Sequence, residues 1–81
     1  MFFDASQQID TSKFQSDNVK VKAGETKPID INMNGYNWAG FKIPDGKKVF
    51  FMGQDIKIDR SLVFTFYNSE TTDLEVTIIR Y

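Results

Sequence analysis

An 81-residue chain with no Cys and no His forms no disulfide, lacks the usual zinc ligands and cannot assemble Ser-His-Asp or Cys-His nucleophile systems from its own residues. Ten Lys and Arg against eleven Asp and Glu leave a net charge of −1, without the basic excess that nucleic-acid binding requires. No apolar run reaches the roughly 20 residues of a membrane span, and the start, MFFDASQQ, has neither the basic nor the long apolar region of a signal peptide.

The length suits one domain near the lower limit of independent folding, where only roughly 60–65% of the unfolded surface leaves water. With disulfide and zinc staples excluded, the expectation is self-association or docking on a partner. The chain is expected to be soluble, non-secreted and made in a cytoplasm. Aromatic residues, eight of them Phe, supply the bulk that a small β core needs.

Residues 1–18 (MFFDASQQIDTSKFQSDN) follow neither a period of 2 nor one of 3.6. They are expected to form an extended arm whose Phe2, Phe3 and Phe14 seat on a neighbour, since aromatics spaced along a polar string make good anchors. Residues 19–81 then form the domain. Residues 19–23 (VKVKA) alternate with Lys20 and Lys22 outward, Gly24-Glu25 turns, and residues 26–33 (TKPIDINM) alternate again with Ile29, Ile31 and Met33 inward. These two read as a first hairpin, with Pro28 placed at a strand start or on an edge because it lacks an N–H.

Asn34-Gly35-Tyr36-Asn37 is a loop, and residues 38–43 (WAGFKI) return as a strand with a bulge expected at Gly40. Pro44-Asp45-Gly46 is the clearest tight turn. The apolar run 49–52 (VFFM) suits a central strand buried on both faces. Gly53-Gln54 breaks it, and residues 55–59 (DIKID) make a separate short strand. Residues 61–81 carry two Val-, Ile-, Phe- and Thr-rich runs around the polar SETTD loop, which predicts a C-terminal hairpin. Both its faces are partly apolar: Leu62, Phe64 and Phe66 oppose Val63 and Tyr67, and Val76 and Ile78 oppose Ile79 and Tyr81. A covered second face would explain that pattern.

About seven strands at a spacing of roughly 8–12 residues, with no helix, predict an all-β, small antiparallel β-sandwich. Trp38, Phe50, Phe64 and Ile78 are expected in its core.

Chemistry is sparse. Asp55 and Asp59, four apart on a strand, share a face but interleave with Lys57 as a solvated surface does. No phosphate-binding glycine motif and no calcium loop occurs. The expectation is a non-enzymatic protein without a cofactor. Tyr36, Asn37 and Trp38 allow an alternative, a carbohydrate or host-surface binding module, because aromatic faces stack on sugar rings and Asn supplies donors and acceptors. Aromatics among lysines also occur in single-strand-binding barrels, but the scattered lysines argue against a nucleic-acid partner.

The sequence elements VKVKAGET, NGYN, WAGFKI and VFTFYNSETTDLEVTIIRY follow one another through residues 19–81. In this layout the chain resembles small all-β virion proteins of tailed bacteriophages. The resemblance implies a capsid-decoration, head-fibre or tail component in the virion, partnered by a capsid or tail protein and often trimeric. The Phe content and the N-terminal arm depart from that pattern. Phe2, Phe3, Phe14, Tyr67 and Tyr81 are the residues expected to dock.

Overall fold

The computed structural model describes residues 14–59 and 61–81. These form six strands and no helix: β1 (Gln15–Val21), β2 (Thr26–Ile31), β3 (Ala39–Lys42), β4 (Val49–Ile56), β5 (Leu62–Asn68) and β6 (Leu74–Arg80). They assemble as two three-stranded antiparallel sheets, ordered β1-β6-β3 and β2-β5-β4. No helix of the described residues is long and apolar enough to cross a membrane.

Alternation decides which face of each strand is dry. In the first sheet Val21, Val76 and Ile78 are buried; in the second, Ile29, Ile31, Val49, Phe64 and Phe66 are. These eight side chains form one hydrophobic cluster, and Val19, Met33, Ala39, Ile43, Leu62 and Leu74 pack around it. The inward and outward assignments of β2, β5 and β6 agree with the sequence pattern, and Pro28 lies on an edge strand. The Asn34-Gly35 and Pro44-Asp45-Gly46 turns form as expected. Gly35 and Gly46 take φ of 85° and 74°, a region that costs a residue with a Cβ, and Lys47 N–H donates to the Pro44 carbonyl at 3.3 Å.

The connections differ from expectation. β1 and β2 are not a hairpin, nor are β5 and β6: in each pair the chain leaves one sheet and enters the other. Only β4 and β5 are consecutive strands paired with each other. A strand–turn–strand segment with matching inward faces can close side by side or across a core, and the turn chemistry serves both.

The strand count is six instead of seven because β4 runs through Gly53. A bulge between Phe51 and Gly53 absorbs the irregularity, with Gly53 at φ 143°, so the run 49–52 continues through Asp55-Ile56, while residues 57–59 leave the strand for a turn. β4 is also an edge strand, not a central one. Its Phe50, paired with Tyr67 on the outer face, is half exposed instead of core. Trp38 likewise stands on the surface, 46% exposed. Gly40 carries no bulge; the Trp38 indole covers it. At the other end β1 begins at Gln15, inside the stretch read as arm. Residues 15–18 join by backbone pairing with residues 77–80, which needs no apolar alternation. Phe2 and Phe3 lie outside the described residues.

Candidate docking surface

Beyond β6, the ladder to the β3 side continues one step. Tyr81 N–H donates to the Trp38 carbonyl (2.8 Å) and Trp38 N–H to the Tyr81 carbonyl (3.0 Å). Trp38 and Tyr81 are therefore cross-strand partners on one face, the face also carrying Gly40 and its partner Ile79. It is the face opposite Val76 and Ile78, turned away from the core. Gly40 makes room for the indole: a Cβ there would meet the Trp38 ring at 2.8 Å. Phe14 completes the group. Its ring stacks on Trp38 at 5.9 Å and 24°, and meets Tyr81 edge-on at 5.3 Å and 81°.

Two of the residues expected to dock, Phe14 and Tyr81, thus come together around Trp38. Tyr67 does not join them; it lies on the outer face of the other sheet, beside Phe50. Three aromatic rings held against one another lose little side-chain freedom on binding and offer a preformed apolar contact.

Tyr36 has a different setting from Trp38. It lies under the Arg80 guanidinium, 4.6 Å from ring centroid to cation, a cation–π contact. Arg80 alternates to the core-side face of β6 and is held there by Asp17 (3.1 Å) and the Asn32 carbonyl (2.9 Å). Tyr36 and Trp38 therefore form no common platform. Asn37 is exposed, and its backbone N–H donates to the Tyr81 carbonyl at 2.8 Å. Tyr36 instead lines an open depression of about 860 Å³ with Asn32, Met33, Lys57, Asp59 and Ser61. Lys57 there pairs with Asp30 at 2.9 Å, both exposed. Asp59 accepts from the Ser61 hydroxyl (2.6 Å) and N–H (3.0 Å), which together hold its carboxyl below the ordinary range. Among the described residues no group of three acidic side chains is placed to hold a metal ion.

Sequence reasoning missed Arg80 and Gly40. Gly40 was within reach, since Trp38 and Gly40 are two apart and so share a strand face. Arg80 was not, because its three partners come from distant parts of the chain.

Compared with known protein families, curated proteins and solved structures, the chain finds no match.

Proposed function

We propose that this chain is a non-enzymatic structural protein that works by docking, its two sheets closed as a small β-sandwich and its Phe14–Trp38–Tyr81 face applied to a larger assembly. The observation that carries this reading is the aromatic group itself. Its rings are already packed on one another outside the core, and a preformed group of large aromatics on the surface is the kind of anchor that interfaces use. Phe14 brings the residue just before β1 into the group, which supports an N-terminal contribution to docking. The resemblance of residues 19–81 to phage virion proteins supports a capsid or tail protein as the partner, with the chain in the virion beside further copies of itself. The carbohydrate reading through Tyr36, Asn37 and Trp38 has less support, because Tyr36 and Trp38 lie on different sides of β6.

The test is co-sedimentation of the purified chain with particles of the virus that encodes it. Wild type is expected to pellet with the particles. Phe14→Ser and Trp38→Ser, with circular dichroism confirming the fold, are expected to stay in the supernatant by a factor of ten or more, about what losing one interface anchor costs. Unchanged pelleting of both variants would refute this face as the docking site.

A further inference from the structure

The two open sides between the sheets are built differently. On the β1 and β2 side polar groups close the gap: the Lys27 ammonium donates to the Lys20 carbonyl at 3.0 Å, and Arg80 spans Asp17 and the Asn32 carbonyl. On the β3 and β4 side the gap is closed by rings, Phe41 stacked on Phe51 at 4.7 Å and 25°, both more than a third exposed.

The four edge strands differ in the same sense. β1 opens with the polar run Gln15-Ser16-Asp17-Asn18, β2 carries Lys27 and Pro28, and β3 is four residues long. These are the devices that keep an edge from pairing with another chain. β4 is the longest strand at eight residues, without Lys or Pro, and the bulge between Phe51 and Gly53 is the one such device it carries. It and the loop after it expose Phe50, Phe51, Met52, Ile56 and Ile58, the last fully. Among the described residues, no strand pairs with its outer edge.

We infer that the β4 edge, with Phe41 beside it, is a two-fold interface between two copies of this chain, β4 lying antiparallel to β4 of the second copy. This rests on the association reading above but uses a separate surface. Two observations select a second copy as the occupant. The first is the patch itself: Phe41 and the five side chains of β4 and its loop expose more apolar surface than singly scattered residues do, on both faces of the strand, and a second copy laid along the edge covers part of each face. The second is charge. Lys48 precedes the strand and Asp55 lies near its end, so antiparallel pairing sets each Lys48 towards the partner copy's Asp55. Lys57, which follows the strand, is engaged by Asp30. The bulge at Phe51/Gly53 shortens the stretch of regular backbone pairing, which leaves most of the contact to side chains.

Native mass spectrometry and sedimentation equilibrium of the full chain test this, with Met52→Lys and Ile56→Lys, both at well-exposed positions, as edge variants. Wild type is expected to be a pair of copies at micromolar concentration. Each edge variant is expected to dissociate at least tenfold more readily, and Glu75→Lys on β6 not at all. The exchange Lys48→Glu with Asp55→Lys is expected to restore pairing that either change alone weakens. A wild-type monomer, a trimer as virion resemblance implies, or a pair that survives both edge variants would overturn the inference. So would loss of the pair on deleting residues 1–13 with β4 intact, which would make that segment the occupant. Particle binding lost in Phe14→Ser with pairing kept, or the reverse, separates failure of one surface from failure of the other.

Discussion

Asn68 is the residue on which the most connections converge. It is fully buried at the end of β5, opposite Val49, and every polar group it carries is used. Its amide donates to the carbonyls of Val21 (3.0 Å) and Thr72 (2.9 Å), and its Oδ1 accepts from Glu70 N–H (2.9 Å). Its backbone N–H donates to the Glu25 carbonyl (3.0 Å), and its own carbonyl accepts from Gly24 N–H (2.8 Å). One side chain thus ties β1 to the crossing between β5 and β6. Asn68→Ala strands three backbone groups at once, and at about 1–3 kcal/mol for each buried unpaired group, partly relieved by water, the expected loss is about 2–4 kcal/mol. Urea unfolding measures it; a loss below about 1 kcal/mol would show that water replaces the amide. Asp59 gives a second prediction. With its carboxyl held below the ordinary range by Ser61, whatever it contributes to the loop is present above the unfolded carboxylate's pKa and lost as pH falls through the lower folded value. Its NMR titration midpoint is expected below the unperturbed value of about 3.9, rising in Ser61→Ala. A midpoint that does not move in Ser61→Ala would remove the hydroxyl as the cause.

Among the elements, β5 and β6 hold the fold, since each is the centre of a sheet. Their alternation was legible: Phe64, Phe66, Val76 and Ile78 face the core as the period of two required. Which strands pair was not legible. Gly24-Glu25 and the SETTD loop turn the chain without saying whether the next strand lies beside the last or across the core from it. The run Val49-Phe50-Phe51-Met52 misled for a related reason. Consecutive apolar residues mark a strand covered on both faces, and that pattern does not distinguish a cover supplied by the chain itself from one supplied by another molecule. At the proposed docking face, Trp38 and Tyr81 were legible as candidate residues, but their pairing with Phe14 depends on β1 entering the sheet at Gln15 through backbone bonds. Hydrogen exchange checks this hierarchy: amides of β5 and β6 are expected to be the slowest, and those of β3, a four-residue edge strand, the fastest of the strands. Slower exchange in β3 than in β5 would contradict the sheet order.

At the scale of the whole molecule, the described residues bury a single cluster of eight apolar side chains, a thin stability margin for a domain, while seven large apolar residues among them stay on the surface. Trp38 lies in the aromatic group on one sheet, and the other six are Phe41 and the side chains of β4 and its loop, a grouping that fits the proposed role with one face for a larger structure and one for a second copy. Trp38 is the only tryptophan and sits in the proposed docking face, so its fluorescence reports that face without interference. The most direct measurement is the emission and iodide quenching of Trp38 as virus particles are added to the purified chain. Docking through Phe14, Trp38 and Tyr81 predicts a blue shift and protection from iodide that saturate with particle concentration. A chain that pellets with particles while Trp38 stays fully open to iodide would contradict it.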